Sequence, residues 1–496
     1  MAHPKPTSPF SLPLPDTSLV VNSMDTFAST ASLRPGDVVT KWGYSFTWTD
    51  KHLPRAETEP LRQRYDTLGA AALDRLHVIR ASLLEDAKAN GTNPPPTDLY
   101  ALLQAHHTHD DVLAQFWAET HTVPEWVDWA QLARGQCVFY RYAIANIVGF
   151  ALQGFVAENS AAPGVVEVLV RTGGFSTRTL LNRLLETFQW LIQVTHSLEA
   201  LQPGGEGHTA TVRVRLLHAS VRQRLLHLAA RKPGYFDTTR YGVPVNTLDS
   251  IHSISTFCCN PMWLQLPKFG VTPAAAEVAD YIALFRYLGY LLGTPVRYFE
   301  SVESARRTME SMLAHELRTT ETSRVVAFNF VECVGNFPMP MYVSKRFIEA
   351  GSRWINGHEL CDELELGRPR GLHYLVFAGH CVLVGVMAWV QWVVPGLDAL
   401  VVRFFREVMY RGVVLRKRSR FTFKYIPREG KSTGKEKHLD GKGLCEPGVC
   451  WWDVLGLPDM GLFEVFFLLV LGAAVGMATA AVVAALAGYN THWNKY

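Results

Sequence analysis

The sequence lacks most of the marks that assign a function at sight. Its eight cysteines (Cys137, Cys258, Cys259, Cys333, Cys361, Cys381, Cys445 and Cys450) include no C-x-x-C pair and no knuckle spacing, which excludes a structural zinc site and a disulfide lattice and makes a reduced compartment the expectation. Charge of one sign is missing too. The 48 Lys and Arg against 45 Asp and Glu leave +3, without the basic field or motif of a nucleic-acid binder, so DNA and RNA are excluded as partners. No basic segment followed by an apolar run opens the chain, so a cleaved signal peptide is not expected. There is no G-x-S-x-G elbow. His315-Glu316 lacks the second histidine of a zinc-protease helix, and no strand precedes Pro203 to Gly207 (PGGEG) to make it a phosphate cradle. His106, His107, His109 and Asp110 gather at a polar turn and read as a solvated face. Strand-like alternation is almost absent.

What is present is apolar and helical: 48% of the 496 residues are apolar and 19% charged, enough for a large core. Residues 1–40, rich in Pro, Ser and Thr, read as a loose tail. From Lys41 onward apolar residues recur at spacings of three and four, which predicts an all-α fold. A helical domain is expected over 41–335, followed by a helical extension over 336–459. Within that extension, Leu372 to Val394 is uncharged but carries His373, His380 and Gln391, and reads either as a membrane span or as a helix buried in protein. The stretch 403–442 is strongly basic and by the positive-inside tendency belongs on the cytoplasmic side. Val465 to Tyr489 then runs without a charge, about 37 Å of helix at 1.5 Å per residue, against a hydrocarbon core of roughly 30 Å. It reads as a C-terminal transmembrane helix that anchors a cytoplasmic domain. Gly472 and Gly476 on that helix form a small-residue face that would suit a homodimer.

Two segments carry candidate chemistry. Ser176 to Leu201 is apolar nearly all round, so Arg183, Glu186 and Thr187 need partners inside the fold: either an internal Arg183–Glu186 pair, or a pocket with a cation, an acid and a hydroxyl. In Thr211 to Leu228, Val214, Leu217, Val221 and Leu225 form an apolar arc with His218 at its edge and Arg215 and Arg222 beyond. His218 is either a packed side chain or an axial haem ligand, the two arginines then meeting the propionates. Glu167 sits in the apolar run VVEVLV, where desolvation favours a raised carboxyl pKa and the role of a base; the alternative is a buried salt bridge to Arg183.

Several strings, Arg134 to Tyr142 (RGQCVFYRY), Val165 to Phe175 (VVEVLVRTGGF), Arg183 to Thr187 (RLLET), Pro203 to Gly207, Val212 to Ala219 (VRVRLLHA) and Tyr241 to Asn246 (YGVPVN), resemble the rubber oxygenase, or latex clearing protein, superfamily, which includes a membrane-bound oxygenase of mycophenolic acid biosynthesis. The resemblance covers about residues 120–300. It implies a globin-like helical core holding haem b, with His218 as the iron ligand, Glu167 as catalytic base, Arg183 and Thr187 at the haem, and Ser250 and His252 in place of a Thr-x-His pair. Glu186 stands where rubber-degrading members have a lysine. The function implied is a membrane-anchored haem b oxygenase that uses O₂ for oxidative C=C cleavage of a hydrophobic, isoprenoid-like substrate. A hydroxylase or peroxidase of the same fold and a non-enzymatic haem- or lipid-binding membrane protein are the alternatives. The organelle suggested is the endoplasmic reticulum.

Overall fold

The computed structural model describes residues 33–172, 180–335, 342–415 and 460–493, with side chains of the last segment placed as far as Ala481. Gly173 and Gly174, most of the tail and residues 416–442 of the basic stretch lie outside the described residues. The fold is all-α, as the periodicity predicts. The helices that bear on the site and the membrane are α1 (Thr67–Asn90), α2 (Trp129–Arg141), α3 (Pro163–Arg171), α4 (Leu180–Thr195), α5 (Glu206–Arg231), α6 (Thr247–Asn260), α7 (Ala275–Leu291), α8 (Val302–His315), α9 (Glu321–Val334), α10 (Lys345–Asn356), α11 (Gly371–Val393), α12 (Leu397–Met409) and α13 (Leu462–Trp493).

Their boundaries follow from local chemistry. Asp66 opens α1 by accepting the Gly69 N–H, and Gly91 closes it at φ 64°. The Asn246 side chain accepts the Asp249 N–H and so starts α6. The PGGEG run is a packing turn rather than a phosphate site: a Cβ on Gly207 would come within 2.6 Å of the Gln193 carbonyl, so glycine lets the start of α5 lie against the end of α4. One short hairpin departs from the helical reading. Val38–Lys41 pairs antiparallel with Tyr44–Thr47 through a turn in which Trp42 and Gly43 both take positive φ, so the tail is structured at least from Val38.

The uncharged run from Leu372 is α11, with some of its side chains buried in protein and others exposed. His373, Val376, Phe377, His380, Val384 and Gln391 are buried, while Leu375, Val386, Trp389 and Trp392 are exposed. It packs beside α13, and both are long and apolar enough to cross a membrane. The contact is close: a Cβ on Gly379 would lie 1.9 Å from the Phe467 carbonyl oxygen. At the foot of α13 the Glu464 carboxylate, fully buried, accepts hydrogen bonds from the backbone and hydroxyl of Ser344, the residue that caps α10. Nothing lies within 4 Å of a Cβ placed on Gly472 or Gly476. The basic stretch begins inside α12, which continues as a π-helical turn, Tyr410–Val414.

Candidate functional site

Four helices enclose a cavity of about 130 Å³. From α3 come Val165, Val168 and Leu169, with Thr172 just beyond, a single face at spacings of three, four and seven. Arg183 enters from α4. Leu217, His218 and Val221 come from α5, and Asp249, Ser250, Ser253 and Ile254 from α6, with Val245, Leu292 and Thr294 at the edges. The lining is mostly apolar, with a few convergent polar groups.

His218 is the polar feature of the α5 wall. Its ring makes no hydrogen bond to a described residue, and burial, reinforced by the Arg222 and Arg183 charges, pushes its pKa down to about 4. It is therefore a neutral imidazole facing an apolar space, the form that binds a metal. One turn on, Arg222 is 4% exposed; one amino group donates to the Val245 carbonyl at 2.9 Å and its plane lies 4.9 Å from the Tyr65 ring, but Nε and Nη1 have no partner. An unbonded guanidinium edge at that depth is costly unless an anion meets it.

Arg215 does not share this role. It points away from the cavity, bidentate to Asp66 at 2.7 and 2.8 Å and bonded to Glu119 at 2.7 Å, so its charge is already matched within the protein. The expectation that Arg215 meets a propionate is therefore not met. Arg183 pairs with Glu186 at 3.4 Å, as the internal-pair reading has it, and lines the cavity, but Glu186 does not, so the pocket of cation, acid and hydroxyl is not assembled. The Thr187 hydroxyl donates to the Arg183 carbonyl at 3.0 Å and is not in the lining. Ser250 lines the cavity, its hydroxyl donating to Asn246. His252 lies behind it, with Nε2 3.4 Å from Glu158 but without hydrogen-bond geometry; burial lowers its pKa to about 4 and raises that of Glu158 to about 7.

The structure does not bring Glu167 to the cavity. Its carboxylate, 7% exposed, lies on another face of α3, where it accepts Arg171 at 3.1 Å and the Thr322 hydroxyl of α9 at 2.7 Å. The salt bridge foreseen as its alternative therefore exists, but to Arg171 rather than Arg183. The acid that does line the cavity is Asp249, which sequence reading passed over. At the third position of α6, after an Asn cap, it reads as an ordinary first-turn acid.

A haem fits the residues present. Among the described residues no group of three or more His, Cys, Asp or Glu is arranged to hold a metal ion. His218 would hold the iron of a haem and Arg222, one turn along α5, would meet a carboxylate, while the valine and leucine lining would keep water out.

The family described as "ER-bound oxygenase mpaB/B'/Rubber oxygenase, catalytic domain" matches residues 140–392. The structure of latex clearing protein in the closed state is similar in fold, with a TM-score of 0.52 and 19% identity over 70% of this chain and 91% of that one. No curated protein matches the sequence. The family match spans just over half of the chain, which therefore belongs to the mpaB/B'/rubber oxygenase family and is an oxidoreductase of the oxygenase class.

Proposed function

We propose that this protein is a membrane-tethered, haem b-dependent oxygenase that cleaves a C=C bond of a hydrophobic, isoprenoid-like substrate, consuming one O₂ and forming two carbonyls. The observation that carries this reading is His218, a neutral imidazole without a hydrogen-bond partner among the described residues, set in an apolar cavity beside the unbonded edge of Arg222. The haem, when bound, supplies an iron that holds and activates O₂. The chain supplies the rest. The face Val165, Val168, Leu169, Leu217, Val221 and Ile254 excludes water and takes an apolar chain. Arg183, held by Glu186, places a positive charge at the wall. Without C-x-x-C-H in the sequence, the haem is held non-covalently.

Tethering is supported by where the apolar surface lies. Sixteen of the twenty-two large apolar side chains exposed among the described residues fall between Leu375 and Met477, on or next to α11, α12 and α13. The family's description as ER-bound points to the endoplasmic reticulum, with the catalytic domain on the cytoplasmic side.

An absorption spectrum of protein purified from haem-supplied cells tests the cofactor. A Soret band lost in folded His218→Ala protein is the expected result; wild-type protein with no haem, or stoichiometric haem in the variant, refutes it. Product carbonyls carrying label from ¹⁸O₂ test cleavage against hydroxylation.

A further inference from the structure

The cavity contains one carboxylic acid among its lining residues, Asp249, and no role has been assigned to it. It stands in the first turn of α6, with its carboxylate directed at the first turn of α3. A Cβ on Gly164 would come 2.9 Å from its Oδ1, so the glycine leaves room for the carboxyl group. No described side chain donates a hydrogen bond to it. Nearby, Arg62 of the 3₁₀ turn Glu59–Gln63 and Arg222 of α5 favour its charge, together with the Asn246 backbone, while Glu316, just past α8, opposes it. The other ionisable groups on the walls are His218 and Arg183, and α3 presents Val165, Val168, Leu169 and Thr172. Burial outweighs the two cations and pushes the Asp249 pKa up to about 7. Both protonation states are thus accessible at neutral pH, the condition for efficient general acid–base work. Glu167 lacks that access, because its carboxylate is engaged by Arg171 and Thr322 on another face of α3.

We propose that Asp249 is the catalytic acid–base of this oxygenase: as O₂ adds to one carbon of the double bond, its carboxylate takes a proton from the allylic carbon, whose C–H electron pair becomes the shifted C=C bond, and it returns that proton to the same carbon as the outer oxygen bonds the second carbon, after which the O–O and C–C bonds break to give two carbonyls. The proton is conserved over the cycle. C=C cleavage by one O₂ into two carbonyls therefore remains balanced without an added reductant. This rests on the oxygenase reading of the same cavity.

The test combines a readout independent of turnover with turnover itself. Infrared difference spectra of the full-length protein between mildly acidic and mildly alkaline solution should show the C=O band of a protonated carboxylic acid that titrates near neutrality. The band should disappear in Asp249→Asn and persist, shifted, in Asp249→Glu. Asp249→Asn should keep its haem and its helical content, yet consume O₂ with squalene in detergent micelles on the order of 10²–10⁴-fold more slowly, without the near-neutral limb of the wild-type pH profile. An unchanged band in Asp249→Asn, or full turnover in that variant, overturns the proposal. So does loss of haem from folded Asp249→Asn, which would make the residue a haem-holding group. Wild-type protein without haem removes the oxygenase reading and this role together, whereas haem-loaded, fully active Asp249→Asn removes this role alone.

Discussion

Replacing Glu167 by glutamine separates a catalytic acid from a structural one. The carboxylate is 7% exposed and has two partners, the Thr322 hydroxyl at 2.7 Å and Arg171 at 3.1 Å. Glutamine preserves the shape and one carbonyl acceptor, so the Thr322 bond survives and the change is confined to the charge facing Arg171. Removing one partner of a buried ion pair costs about 3–5 kcal/mol. Here both side chains remain about a tenth exposed, and Arg171 keeps its contact with the Tyr235 ring at 5.2 Å, which brings the expected loss to about 2–3 kcal/mol. At about 2 °C per kcal/mol for a domain of this size, melting of the detergent-solubilised protein should fall by about 4–6 °C. A cycle with Arg171→Met should return a coupling of at least about 1 kcal/mol. Haem content should be unchanged and turnover should fall less than tenfold. The reasoning is refuted if Glu167→Gln melts like wild type, keeps its haem spectrum and loses 10²–10⁴-fold in turnover, the usual worth of a positioned base.

Arg222→Met removes a buried cation with two unbonded N–H groups, so the haem-free protein should melt no lower than wild type while haem affinity falls by about tenfold or more, read by haem titration. The raised pKa of Asp249 makes the folded haem-free protein bind more protons than the unfolded chain between roughly pH 4 and 7, so this residue's contribution to stability is present at pH 4 and is lost as pH rises through 7. His218 and His252, with lowered values, run the opposite way below about pH 6.5, so the test is the difference between wild type and Asp249→Asn: the variant should gain in relative melting temperature on going from pH 5 to pH 8. Deleting 460–496 should leave the protein on carbonate-washed membranes, because Leu375, Val386, Trp389, Trp392, Leu400, Phe404 and Val408 stay exposed on α11 and α12. Release into the supernatant would show α13 to be the sole anchor.

The helical class, the run that becomes α13 and the placement of His218 between an apolar arc and a cation were legible because each is a periodicity or a length within one segment. The hairpin was not: two four-residue strands are too short to show alternation, and their turn places Trp42, not a glycine, at φ 54°. The arginines flanking His218 show a second limit. On one helix Arg215 and Arg222 look equivalent, and what separates them is Asp66 and Glu119, brought to Arg215 from about 150 and 100 residues earlier. Nothing in the local string carries that information.

The acids show the sharpest limit. A helical residue turns by about 100° relative to its neighbour, so whether a carboxylate enters a cavity depends on how the whole helix is rolled against its partners. In α3 the roll is set by Val165, Val168, Leu169 and Thr172 facing the cavity, which sends Glu167, two residues after Val165, to Thr322 of α9 and leaves its own i+4 neighbour Arg171 to neutralise it. In α6 the same geometry puts Asp249, Ser250, Ser253 and Ile254 on the cavity face and His252 behind it with Glu158. An acid in an apolar run attracts notice in a sequence because its surroundings are apolar on both sides. An acid that follows an Asn cap does not, since charge in a first turn is common. The acid that lines this cavity is thus the one whose local sequence looks most ordinary, and its shift toward neutrality arises from burial among other helices, with the Glu316 charge adding to it.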